Sequence, residues 1–320
     1  MSDAALLVVE NLSVSYGAKP AVESVSLEIH AGRCLGVIGE SGAGKTQSFL
    51  AMMGLLPPNA RVTGKARLEG QDLLGPGAAQ LRGQRVAMIF QDPMTSLTPH
   101  MRIGDQIAEP LVVHQGLSWA DARVRASRLL EQVRMNDVPR RLRQYPHELS
   151  GGMRQRAMIA MALACDPDLL IADEPTTALD VTIQAQILDL MRALREQSGA
   201  AIVLITHDLG VVAEVCDDVV VMYAGEIVER APVEDLFRFP QHPYTIGLMG
   251  SLPRLDVRKE KLAAIEGSVP DMTRPPTGCR FAPRCAFADA NCRANPAPVI
   301  EPSPGRLTRC WKAPLERLVA

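Results

Sequence analysis

The sequence predicts an α/β protein built on a buried, largely parallel sheet that carries a phosphate-binding loop. Three observations carry that prediction. Cys34-Leu-Gly-Val-Ile-Gly39 is a short apolar run that leads straight into Gly39-Glu-Ser-Gly-Ala-Gly-Lys45-Thr46. Leu169-Leu-Ile-Ala172 is a second such run and ends in two acids, Asp173 and Glu174. Ala201-Ile-Val-Leu-Ile-Thr206 is a third, and His207-Asp208 closes it. Apolar runs of this length suit strands covered on both faces, and ligands in such sheets sit at the carboxyl ends of the strands.

The bulk properties narrow the function classes. The chain has 320 residues, 47% of them hydrophobic and 22% charged, which suits one large globular domain plus an appendage. A formal net charge of -2 gives no global signal for nucleic acid, and no nucleic-acid partner is expected. The opening MSDAALLVVENLSV lacks a basic region and reads as a strand, so no secretory signal is expected. The apolar runs are too short to span a bilayer, so any membrane role is peripheral. Seven cysteines in a chain of this character argue against structural disulfides.

Taken in order, residues 6–29 alternate apolar and polar around Tyr16-Gly17, which predicts an antiparallel hairpin with an aromatic ring at the break. Gly39 to Thr46 fits the G-x-x-x-x-G-K-[ST] phosphate loop at every fixed position. The glycines Gly39, Gly42 and Gly44 let the backbone curl, so that N–H groups of the loop, Ser41 included, point at phosphate oxygens. The helix that follows adds its positive end. Lys45 can reach the β- and γ-phosphates, and Thr46 can ligate Mg²⁺. Residues 56–82 are rich in Gly and Pro and read as loops around short strands. Val86-Ala-Met-Ile-Phe90 is another buried strand, and it places Gln91 at its carboxyl end.

From about 94 to 165 the pattern turns helical, as a subdomain inserted between strands. Ser118-Trp-Ala-Asp121 resembles a capping box, and Ala122, Ala126, Leu129, Leu130 and Val133 follow at helical spacing. Arg123, Arg125 and Arg128 read as a solvated face. Ser150 can cap a helix, while Gly151 and Gly152 let its backbone approach an anion closely. Asp173 at a strand end suits Mg²⁺ support in a phosphate-loop NTPase, and Glu174 suits a base that deprotonates water. Asp180 precedes an amphipathic helix with Ile183, Ile187, Leu190, Met191 and Leu194 on its core face. Val219 to Tyr223, Ala224-Gly225 and Glu226 to Glu229 read as a closing hairpin. Beyond about 235 the composition shifts to Pro, Arg and Phe. Cys279, Cys285, Cys292 and Cys310 stand there in a C-x5-C-x6-C-x17-C spacing. Four thiolates can hold zinc or an iron–sulfur cluster, and a Pro-rich tail gains from such a staple.

Together these residues resemble the ATP-binding subunits of ABC transporters. Gly39–Thr46 matches the Walker A loop, Gln91 the Q-loop, and Leu149-Ser-Gly-Gly-Met153 with Gln155 the family signature, with Met in its fifth place. Leu169–Asp173 matches Walker B, Glu174 the catalytic glutamate, Ala178-Leu179-Asp180 the D-loop, His207 the switch histidine and Tyr16 the adenine-stacking aromatic. FQDPMTSLTP at 90–99, IADEPTTALDVTIQAQI at 171–187, HPYT at 242–245 and the tail from CRFAPRC onward narrow the resemblance to the dipeptide/oligopeptide importer group, which includes nickel and glutathione importers.

The resemblance implies an ABC ATPase core over 1–235, with an antiparallel β subdomain and the helical insertion, and an extension over 236–320. It implies ATP and Mg²⁺, the metal on Thr46, Gln91 and Asp173, and a [4Fe–4S] cluster in preference to zinc on the four cysteines. It implies a head-to-tail pair with a second, related ATPase, in which ATP lies between one Walker A loop and the other chain's Ser150–Gly152. Two transmembrane permeases and an extracytoplasmic substrate-binding protein complete the expected assembly, at the cytoplasmic face of a bacterial cell membrane. Soluble repair or translation ATPases of the same family are the alternative class. Their long coiled coils and tandem cassettes are missing from this sequence.

Overall fold

The computed structural model describes residues 4–177, 180–251 and 265–315. Among them the strands in chain order are β1 (Ala5–Tyr16), β2 (Lys19–His30), β3 (Cys34–Ile38), β4 (Ala60–Leu68), β5 (Gln71–Asp72), β6 (Val86–Ile89), β7 (Leu169–Asp173), β8 (Ala201–Ile205), β9 (Asp218–Tyr223), β10 (Glu226–Pro232), β11 (Val299–Ser303) and β12 (Arg306–Arg309). The four runs expected to be buried strands form β3, β6, β7 and β8, and every residue within these strands is buried; Phe90, expected to end the β6 run, lies beyond the strand and is exposed. The chain divides into two compact units.

The first unit holds most of residues 71–205. Its sheet is parallel, with β7 between β6 and β8. Ile171 pairs with Met88 on one side and Val203 on the other, so β7 has no free edge and its apolar side chains have nowhere to meet water. The principal helices of this unit before β7 are Ile103–Gln115, Trp119–Gln132 and Gly151–Ala162. Ser118 caps the second of these, accepting from the Asp121 N–H and donating to its carboxylate. Ala122, Ala126, Leu129, Leu130 and Val133 are buried, as their spacing predicts. Arg123 and Arg125 are solvent-facing but paired, with Asp105 and Asp166 at 2.8 and 2.7 Å.

The second unit holds most of 7–70 and the described residues from Thr206 onward. β2, β1 and β4 form an antiparallel sheet, with Leu7 opposite Leu68 and a bulge between Glu10 and Ser13. β3 lies parallel to β9, which turns back through Ala224-Gly225 into β10. β10 then pairs with β12 and β12 with β11, so residues 299–309 lengthen the sheet begun by β3 and β9. The extension is further seated by aromatic packing. Tyr223, Tyr244 and Phe281 meet with ring centres 4.7, 5.2 and 5.4 Å apart, all three nearly excluded from solvent.

A buried carboxyl anchors the same region. Glu229, 1% exposed, accepts from the backbone N–H of Gln241 at 2.5 Å and of His242 at 3.0 Å, and from the Thr245 hydroxyl at 2.6 Å. Burial pushes its pKa up to about 7, against the pull of those donors. Burial drives the neighbouring His242 the other way, down to about 3. HPYT therefore serves as a structural joint: His242 caps the helix Pro243–Gly250 through its Nδ1, and Tyr244 enters the aromatic cluster.

Candidate functional site

The phosphate loop leaves β3 and closes at the helix Lys45–Met52. Two of its glycines are required by the backbone. Gly39 has φ 153 and a Cβ there would stand 2.2 Å from the Met222 carbonyl; Gly44 has φ 96 and its Cβ would stand 2.7 Å from the Ala21 carbonyl. Lys45 is 8% exposed and folds back on the loop, donating to the carbonyls of Gly39 at 2.8 Å and Glu40 at 3.1 Å. An ammonium held this way stands inside the concavity of the loop, where phosphate oxygens would compete for it. Ser41 and Gly42 are exposed on the rim, and Thr46 is half-buried in the first turn.

Tyr16 ends β1 one residue before the Gly17 turn. Its ring is half-buried, and its hydroxyl donates to the Gln47 side chain in the helix after the loop. His207 is exposed in the same unit, just past Thr206, whose N–H donates to Val37 of β3 at 3.1 Å. Asp208 caps the next helix, accepting from Gly210 and Val211. These contacts fix the backbone on both sides of His207.

The first unit gathers the acids. Asp173 is 4% exposed at the end of β7. Glu174 follows with φ 46, a left-handed backbone that a residue with a Cβ adopts only at a cost of roughly 1–3 kcal/mol. Its N–H donates to Ile205 at 2.8 Å, and its Oε2 accepts from the Gln91 side-chain amide at 3.0 Å and the Thr177 hydroxyl at 2.9 Å. Gln91 and Glu174, 83 positions apart, are thus in direct contact. That arrangement holds a carboxylate at a strand end, oriented by two donors, as a positioned base requires.

Ser150 caps the helix Gly151–Ala162, its Oγ accepting from the Met153 N–H at 3.4 Å. Asp180 caps the helix Val181–Ser198 through the Ile183 N–H at 2.9 Å; Ala178 and Leu179 lie outside the described residues. Ser150, Gly151, Gly152 and Asp180 line one open concavity of about 720 Å³. Ile183 departs from its expected core place. It is only half-buried and lines this concavity, and a Cβ on Gly152 would meet it at 3.0 Å. Arg134 and Arg156 line the concavity as well. Arg156 is held by the Val133 carbonyl at 2.6 Å and the Gln186 side chain at 2.8 Å. A helix N-terminus facing two guanidinium groups suits a polyanion. The sequence reading missed both arginines. The signal for Arg156 was its place four residues after Gly152, one turn along the same helix face.

The four tail cysteines are all free and share one neighbourhood. The Cys279 N–H donates to the Cys292 carbonyl at 2.8 Å. Burial raises the Cys279 and Cys285 thiols, and Cys310 to about 11, and the charge of other cysteines in the group adds to each shift. Four sulfur donors, Cys292 and Cys310 buried and Cys279 and Cys285 half-buried, are a suitable set for zinc or an iron–sulfur cluster. Among the described residues no group of three His, Cys, Asp or Glu side chains is arranged to hold a metal ion. Thiols without a metal have no mutual attraction, and as thiolates they repel.

Residues 22–177 match the family described as ABC transporter, and residues 228–292 match the oligopeptide/dipeptide transporter C-terminal region. The chain is 49% identical to the oligopeptide transport ATP-binding protein OppD of Salmonella typhimurium, over 98% of this chain and 95% of that one. It is 48% identical to OppD of Escherichia coli K12 over the same shares. It is 52% identical to a probable peptide ABC transporter ATP-binding protein, y4tR, of Sinorhizobium fredii, over 92% and 89%. Among solved structures it is similar to the ATP-binding cassette MJ0796, dimeric with ADP and Pi bound, at 25% identity and a TM-score of 0.64 over 71% of this chain and 98% of that one. Likeness to cbiO1 of Clostridium perfringens, at 24% identity and a TM-score of 0.63 over 73% and 91%, concerns the fold alone.

Proposed function

This chain belongs to the ABC transporter family of ATP-binding subunits, in its oligopeptide/dipeptide branch, and we propose that it powers uptake of di- and oligopeptides from a split, paired ATP site. It is an ATPase. The observation that carries the reading is one chain bearing both halves of such a site, Lys45 with its loop and the Ser150–Gly152 helix end, ahead of an extension of the oligopeptide-transporter kind.

In this reading Lys45 and the N–H groups of the loop, with Gly39, Ser41, Gly42 and Gly44, hold the phosphates, and Tyr16 stacks on the adenine. Thr46, Asp173 and Gln91 would hold Mg²⁺, an ion that uses few protein ligands and completes its shell with phosphate and water. Bound there, Mg²⁺ neutralises charge on the β- and γ-phosphates. Glu174 takes the proton of the attacking water, with Gln91 and Thr177 orienting its carboxylate. His207 contacts the γ-phosphate. Ser150, Gly151, Gly152 and Asp180 face the ATP held by a partner subunit. The dimeric MJ0796 relative supports pairing. The partner here is a second, related ATPase.

Residues 1–235 form the nucleotide-binding domain, with the helical subdomain at about 94–165, and 236–320 the extension. The segment 91–97 passes motion to two transmembrane permeases. Asp92 caps its short helix through the Met94 N–H, and Gln106 holds Thr98 at both N–H and carbonyl, so the segment is anchored to the helical block. An extracytoplasmic binding protein delivers cargo. Among the described residues no helix is long and apolar enough to cross a membrane, in keeping with a peripheral subunit at the cytoplasmic face of a bacterial cell membrane. Proteoliposomes carrying permeases, both ATPases and binding protein should accumulate a labelled tripeptide only with ATP on the ATPase side. Uptake of nickel or glutathione with no peptide uptake would reject the peptide cargo.

The four cysteines hold a [4Fe–4S] cluster in this reading, supported by four free thiols, the charges of which act on one another, and by the family match over three of them. Protein purified without oxygen should be brown and lose its visible absorbance in air. Colourless protein with one zinc per chain would replace the cluster with zinc.

A further inference from the structure

The loop between the first two tail cysteines reaches the phosphate loop. Its sequence is Cys279-Arg-Phe-Ala-Pro-Arg284-Cys285, and none of the readings above uses its arginines. Arg284 is almost wholly buried, its side chain 5% exposed. Its guanidinium donates through Nη1 to Oε2 of Glu40 at 2.7 Å and through Nη2 to Oε1 at 3.0 Å. Glu40 is the residue after Gly39, the second of the phosphate loop. The pair is a two-pronged fork, the geometry in which an arginine fixes both position and angle of a carboxylate. Arg284 is itself held by the carbonyls of Ile265 and Glu266 and lies over the Tyr223 ring.

The other polar groups of Glu40 are engaged too. Its N–H donates to the Tyr244 hydroxyl at 2.8 Å, and its carbonyl accepts from Lys45 Nζ at 3.1 Å. Two of these ties come from the extension and one from the phosphate-binding lysine, while the Ala43 N–H of the loop also donates to the Glu40 carbonyl at 3.2 Å. A second brace runs alongside. Arg280 donates to the Ala224 carbonyl and to the Glu23 carboxylate, and the adjacent Gly225 N–H donates to Ala43 of the loop at 3.0 Å. Between the two arginines Phe281 is locked into the aromatic cluster. The loop is thus bound along its length, with Arg284 on the Glu40 carboxylate at one end and Arg280 on the Ala224 carbonyl and Glu23 carboxylate at the other.

We infer that Arg284 is a positioning residue for the nucleotide: it fixes Glu40, and through the Glu40 carbonyl and loop backbone it sets where Lys45 and the loop N–H groups meet phosphate. This rests on the reading of Gly39–Thr46 as the ATP site. The extension is then part of the nucleotide-binding apparatus as well as a tail. A charged fork of this kind is worth enough that losing it should weaken ground-state binding of ATP by about tenfold. Chemistry at Glu174 is left intact, since Arg284 does not touch it.

The test uses the assembled transporter and steady-state phosphate release. Arg284→Ala should raise KM for ATP about tenfold with kcat within about twofold, and Arg284→Lys should recover part of the loss. Glu40→Gln should raise KM similarly, and the double variant Glu40→Gln/Arg284→Ala should be no worse than either alone, the mark of one shared interaction. Should Arg284→Ala fail to fold, Arg284→Lys and Glu40→Gln carry the same comparison. A folded Arg284→Ala with wild-type KM, or losses that simply add in the double variant, would overturn the inference. Wild-type complex without ATP hydrolysis would instead sink the ATPase reading, so the two failures are distinguishable.

Discussion

Glu174→Gln is expected to keep ATP binding while lowering phosphate release by about 10²–10⁴-fold, the usual worth of a positioned base. The expectation follows from shape. Glutamine has the size of glutamate and can keep one oxygen on the Gln91 amide and the Thr177 hydroxyl, which now donate at 3.0 and 2.9 Å. It cannot take a proton from water. The left-handed backbone at φ 46 is unchanged, so the variant inherits the same strain and the same aim. The two measurements are ATP affinity by fluorescent-nucleotide titration and turnover by phosphate release. A fall of less than threefold in turnover would remove Glu174 from the role of base.

Lys45→Ala is expected to fail earlier, at the binding step. Lys45 is buried to 8% exposure and bonds only loop carbonyls among the contacts described above, Gly39 and Glu40. Its removal takes the one ammonium from the centre of the loop. It also leaves two carbonyl oxygens facing inward, where they repel phosphate. A loss on the order of 10²–10³-fold in kcat/KM follows from losing one such preorganised donor. Titration with a fluorescent ATP analogue should show the loss as weaker binding, which sets this variant apart from Glu174→Gln. Normal affinity with slow turnover would contradict the assignment of Lys45 to the ground-state phosphates.

Much of this arrangement was legible in the chain. β3, β6, β7 and β8 could be read because strands covered on both faces must be apolar throughout, and the polar residue that follows each one then marks a sheet edge. Ser118 and Asp121 could be read because a helix start needs acceptors for its unpaired N–H groups. The contact between Gln91 and Glu174 could be expected as a shared sheet edge, but not as a hydrogen bond. The brace from Arg284 to Glu40 was invisible, since 244 positions separate its ends and no periodicity links them. Ile183 followed the apolar stripe of its helix and was taken for core, because the stripe cannot show which end of a helix opens onto a concavity. The four cysteines were read as one ligand set. Their spacing carries no information on whether the sulfurs converge before a metal arrives.

The central claim is that this chain closes on a partner through ATP, its own loop holding one nucleotide and its Ser150–Gly152 helix end facing another. The most direct test is the mass, by light scattering, of detergent-free Glu174→Gln subunit mixed with its related ATPase partner, without nucleotide, with ADP and with ATP. The account predicts separate subunits in the first two conditions and a stable pair only with ATP. A mass that is the same in all three conditions would contradict it.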